Sequence, residues 1–102
     1  MAHVISYSHI TTASIPNEVW DEAWFTIQSW KGFLQSFPGI LAIRPAARAL
    51  DDGDIRFQIH LVWEHPEQME VWLKSQWASD VLLTSLNPPA YDVVGIAYED
   101  LG

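Results

Sequence analysis

A chain of 102 residues makes one domain (1–102), with room for a two-layer core and not for a second one. Thirteen Asp and Glu against five Lys and Arg leave a formal net charge of −8, which argues against a nucleic-acid or anionic-membrane partner. The lack of cysteine removes disulfide, thiolate nucleophile and thiolate metal site, and no run approaches the ~20 apolar residues of a membrane span. No basic start leads into an apolar run, so a soluble cytoplasmic protein without a signal peptide is expected. The six tryptophans stand out, because each can bury roughly 150–250 Å² and a small monomer has little interior to hide them.

The first element, 3–15, is rich in β-branched residues. His3, Ile5, Tyr7, His9 and Thr11 share one parity, and a strand to about Thr12 is expected. Ser14-Ile15-Pro16-Asn17-Glu18 reads as a helix start, with Pro in the first turn and Glu18, Asp21 and Glu22 at the positive helix end. Val19, Ala23, Ile27, Trp30 and Leu34 then recur at steps of three and four, one apolar stripe that Trp20 and Trp24 widen. Phe37-Pro38-Gly39 closes the helix.

A second strand is expected over 40–50 and a turn at Asp51-Asp52-Gly53-Asp54. The third strand, 55–64, has the clearest period of two. Ile55, Phe57, Ile59, Leu61 and Trp63 lie on one face, and Arg56, Gln58, His60, Val62 and Glu64 on the other. His65-Pro66-Glu67 opens a second helix with Met69, Trp72, Leu73, Gln76 and Trp77 as its stripe, continued over 79–86 and broken at Asn87-Pro88-Pro89. The last strand covers 91–99. The order βαββαβ is the α+β, ferredoxin-like plan: a four-stranded antiparallel sheet with two helices on one face. Nothing in the chain covers the other face, and a second copy would.

Several residues could carry chemistry. His60 sits mid-strand and could act as acid or base near neutral pH; the plainer role is a hydrogen-bonded interface histidine. His3 and His9 are six residues apart, about 20 Å along a strand, so the histidines are not expected to share a metal. Arg44, Arg48 and Arg56 are three of the five cations and all fall on the central hairpin. They suit ion pairs with the acidic excess, or recognition of a carboxylate or phenolate. Tyr7, Trp63, Trp72 and Trp77 could line a pocket for a flat ring or simply form core.

Phe37-Pro38-Gly39-Ile40 resembles the Pro-Gly turn into strand two of the antibiotic-biosynthesis-monooxygenase group of dimeric α+β barrels. Ile59-His60-Leu61-Val62-Trp63-Glu64, followed by Trp72-Leu73-Lys74-Ser75, is similar to that group's strand-three to helix-two signature. Leu86-Asn87-Pro88-Pro89 resembles its short return before the last strand. The resemblance implies a homodimer whose sheets face each other, with a pocket between helices and sheet in each subunit. Heme-degrading members pair a helix-two tryptophan with a histidine ten residues on. Trp72 matches, but Leu82 stands at the histidine position and 8–12 holds no counterpart of their strand-one asparagine. No heme, other cofactor or metal is therefore expected.

The resulting expectation is a small-molecule-binding homodimer, by resemblance a cofactor-independent monooxygenase acting on an aromatic or quinol-like substrate. His60 is its candidate catalytic group, and Tyr7, His9, Arg44, Trp63, Trp72 and Trp77 would contact substrate. A non-catalytic binding or structural dimer is the alternative, and an isomerase or cyclase using His60 a third.

Overall fold

The computed structural model of the chain describes residues 3–75 and 90–102. Trp77, Leu82, the 79–86 continuation and Asn87-Pro88-Pro89 lie outside the described residues. Along the chain run β1 (Val4–Ile15), a 3₁₀ turn (Asn17–Val19), α1 (Trp20–Leu34), β2 (Ile40–Ala49), β3 (Ile55–Trp63), α2 (Pro66–Lys74) and β4 (Tyr91–Leu101). The strands form one antiparallel sheet in the order β2-β3-β1-β4, which is the ferredoxin-like arrangement the sequence implies. No helix among the described residues is long and apolar enough to cross a membrane.

The first helix begins later than its sequence signals suggest. Pro16 has ψ 137°, still extended, and a residue before proline is pushed out of the helical region. Strand β1 therefore runs on to Ile15, where Ala13, Ser14 and Ile15 pair with Phe57, Arg56 and Ile55. Near the same end the β1–β4 register shifts between Thr12 and Ser14. There Asp92 takes φ 52°, a left-handed conformation that Asp tolerates better than most residues.

Register assigns every strand residue to a face. Directly opposed residues point the same way. Tyr7 opposes Trp63, His9 opposes Leu61 and Ile43 opposes Leu61, so odd residues of these strands turn toward the helices. Phe57, Ile59, Leu61 and Trp63 are buried there with Ala23, Ile27, Trp30 and Leu34 of α1 and Met69 and Trp72 of α2. The α1 stripe read from sequence is this core face. Leu73 of the α2 stripe is instead exposed.

The Pro-Gly turn and the strand-three to helix-two segment meet in space. Gly39, at φ 82°, accepts a 2.8 Å bond at its carbonyl from the Glu64 N–H. A Cβ on Gly39 would fall 1.7 Å from Oε1 of Gln68. That same Oε1 accepts from the His65 N–H at 3.2 Å and so caps α2. Glycine is needed here both for its backbone angle and for the space it leaves.

Candidate functional site

Four rings run in a line across the helix face. Phe37 meets Trp63 edge-on at 6.3 Å between centroids, Trp63 meets Trp72 at 6.1 Å, and Trp72 meets the imidazole of His9 at 5.5 Å. The line is fully buried at its middle and half-buried at both ends. Trp63 and Trp72 are fully buried, while Tyr7 and His9 are half-buried. Both indole Nε1 atoms are buried without a hydrogen-bond partner among the described residues. Each orphaned donor costs about 1–3 kcal/mol relative to a satisfied one, and functional sites are where such costs are found.

His9 is the titratable group of this line. Burial pushes its pKa below the ordinary histidine value, so near neutral pH the ring is uncharged and holds a lone pair for a proton. Its Nδ1 lies 3.4 Å from Oγ1 of Thr11. On the β4 side it packs against Gly95, where an added Cβ would be 3.1 Å from Nε2. Val93, Gly95, Ala97 and Glu99 share the helix-side parity of β4 and are all exposed. Beside His9 the sheet offers the small residues Gly95 and Ala97, with the Trp72 ring on the imidazole's other neighbouring side.

A separate cleft of about 210 Å³ lies between α1 and the β2–β3 half of the sheet. Trp24, Ile27, Gln28, Lys31, Ile43, Pro45 and Ile59 line it. Lys31 is its one ionisable group among the described residues.

The open face holds the other half of the expected site. His60 opposes both Ile10 and Arg44, and these residues point away from the helices. His60 Nε2 is 2.9 Å from the Ser8 hydroxyl, and Ser8 and Ser6 donate to Oδ2 of Asp100 at 2.5 and 2.7 Å. The Ser8 bond holds the Asp100 carboxyl below its ordinary value against the opposing desolvation, with lesser help from Ser6, His60 and Arg44. Arg56 is held by the Ser14 and Thr12 hydroxyls and the Asp92 carbonyl, each at 2.9 Å, so hydroxyls and a peptide oxygen stand where a carboxylate partner was expected.

The structure therefore brings Tyr7, His9, Trp63 and Trp72 together and sets His60 and Arg44 on the opposite face. Asp100, Ser6, Ser8 and Gly95 escaped the sequence reading. A glycine inside a strand signals close approach of another group and could have pointed to His9. Among the described residues no three of His, Asp and Glu converge as metal ligands would.

Comparison with known proteins gives the arrangement a context. A protein from Deinococcus radiodurans, provisionally named an antibiotic biosynthesis monooxygenase, superposes with a TM-score of 0.74 at 18% identity, covering 92% of this chain and 91% of that one. This chain has the antibiotic biosynthesis monooxygenase fold. A protein of the same provisional name from Nitrosomonas europaea gives 0.75 at 11% identity over 96% and 92%. The heme degrader MhuD from Mycobacterium tuberculosis, with two hemes bound in its active site, gives 0.70 at 18% over 92% and 94%. No family model and no curated protein sequence matches the chain.

Proposed function

We propose that the protein is a homodimer that binds a small aromatic molecule beside His9 and deprotonates it, as a cofactor-independent monooxygenase of quinol-like substrates would require. The observation that carries this reading is the uncharged, half-buried His9 imidazole at the end of the ring line. A flat ring can lie on Gly95 and Ala97 with an edge toward Trp72. His9 takes the phenolic proton, and the resulting electron-rich anion reacts with oxygen. An indole N–H freed by a small movement of Trp72 can donate to a ligand oxygen. His60 plays no part on that face.

Dimerisation is supported by the open face. Val94, Ile96 and Tyr98 are exposed there at 45, 47 and 48%, and no element of the described chain covers them. Stable interfaces bury about 1,200–2,000 Å² in total, an area a whole sheet face can supply.

The test is titration with a naphthoquinol probe, followed by tryptophan fluorescence and oxygen uptake. His9→Ala should keep fluorescence-detected binding within a few-fold and lose oxygen uptake, while His60→Ala keeps both. Loss of uptake in His60→Ala with His9→Ala unaffected would overturn the assignment. The α1–β2 cleft, with only Lys31 to ionise, favours a second reading of binding without chemistry; there Lys31→Gln, and not His9→Ala, would weaken the probe.

A further inference from the structure

The open face carries a polar row that spans all four strands: Arg44 on β2, His60 on β3, Ser8 on β1 and Asp100 on β4. Its internal bonds fix its protons. Ser8 has one hydroxyl hydrogen and gives it to Asp100, so His60 Nε2 must be the donor to Ser8. Ser6 and Ser8 both bond Oδ2 of Asp100. Oδ1 is left with no hydrogen-bond partner among the described residues. At the other end the Arg44 guanidinium is exposed, and it too makes no hydrogen bond among them. The row is oblique, with Arg44 level with Ile10 and Asp100 level with Ser6, so its ends are three inter-strand gaps, about 14 Å, apart across the sheet and offset along it as well. Asp100 feels the charge of Arg44 but does not bond it.

The row is thus positive and open at one end, negative and open at the other, and flanked by the exposed Val94, Ile96 and Tyr98. A symmetric dimer presents the same patch twice. A two-fold axis lying in the interface and crossing the row near its middle reverses the row on the facing copy. Each cation then falls on an anion, twice per dimer.

We propose, resting on the homodimer reading above, that this row is a self-complementary latch: the Arg44 guanidinium of each subunit bonds the free carboxylate oxygen of the partner's Asp100 and so selects one way of pairing the sheets. The serines hold the carboxylate in place, and His60 ties them to the β3 side. A bidentate-capable fork facing a positioned carboxylate gives direction as well as attraction. The apolar strip supplies area and the row supplies register.

Charge reversal separates this latch from dimerisation as such. Arg44→Glu and Asp100→Lys should each raise the dimer dissociation constant roughly 10- to 100-fold, because each places like charges together at two points. Mixing the two variants should restore assembly as a heterodimer, since each subunit then offers the complement of the other. Sedimentation velocity, with circular dichroism to verify folding, reads all of these. A mixture that behaves as the sum of its parts, while Arg44→Glu/Asp100→Lys in one chain recovers, would place the contact within a subunit and overturn the proposal. Single variants as tightly dimeric as the original protein would also overturn it. A monomeric original protein would remove the dimer reading and the latch together. Should Asp100→Lys fail to fold, Arg44→Gln and Asp100→Asn form the same test in milder form: both weaken the dimer, and the pair together weakens it no further than either alone.

Discussion

The two faces of the sheet are built from the same strands and differ in how they are completed. The helix face is closed by segments of the same chain. Its residues are large rings and branched aliphatics, and its one titratable side chain in the ring line, His9, is kept uncharged by burial. The open face carries Arg44, Arg48, Arg56, His60 and Asp100 beside half-exposed Val94, Ile96 and Tyr98. Ser6, Ser8, His60 and Asp100 bond one another there while Arg44 makes no hydrogen bond among the described residues, and its apolar groups have no cover within the described chain. A face closed covalently can afford a ligand site at its rim. A face closed by association needs instead a pattern that recognises itself.

The largest contrast should come from emptying the helix face. Trp72→Ala removes a fully buried ring and should cost about 3–5 kcal/mol in denaturant unfolding, with loss of probe binding beside His9. Gly39→Ala should cost about 1–3 kcal/mol, since it strains a φ of 82° and collides with the Gln68 cap of α2. Ile96→Asp puts a charge into the apolar strip of the open face. It should raise dimer dissociation by at least about tenfold and leave a folded monomer. Phe25→Asp, on an α1 residue 75% exposed, should change neither assembly nor stability appreciably, so equal effects of the two would erase the distinction between the faces.

Smaller effects follow from titration. The folded-state pKa of His9 is depressed below 6.5, so its contribution is present above that value. It is lost as pH falls through 6.5 and then through the folded value, where the unfolded chain takes up the proton first. Thermal unfolding between pH 7.5 and 5 should show this slope, and His9→Gln should flatten it. Smallest of all, Tyr91 donates to Asp54, and that bond, followed by desolvation and the nearby acidic charges, pushes its pKa up to about 12. Its phenolate absorbance should appear only near the end of an alkaline titration, and Asp54→Asn should bring it forward.

Much of this comparison is legible in the sequence. The period of two over 55–63 separates Phe57, Ile59, Leu61 and Trp63 from Arg56, Gln58 and His60 without reference to any other strand, because alternation is local geometry. The uncovered face follows from counting helices against sheet faces. The grouping of His60 with Tyr7 and His9 did not follow, because it depends on the β1–β3 register. The pairing of Ile10 with His60 sends His9 to the helices and His60 away from them, and a shift of one residue would have reversed that. Asp100 was missed for a related reason. It lies beyond the expected end of the last strand, and only the pairing of Ser6 with Asp100 and of Ser8 with Tyr98 brings the serines to it. Local pattern fixes which residues share a face of one strand, and long-range register fixes which strands contribute to one site.

His9 and His60 offer one measurement for the division of labour between the faces. Their imidazole resonances, assigned by His9→Gln and His60→Gln, can be followed by NMR in one series with the naphthoquinol probe added and in another with the protein diluted. The expected result is that His9 moves with the probe and holds still on dilution, while His60 moves on dilution and ignores the probe. A His60 signal that follows the probe while His9 stays fixed would contradict the account.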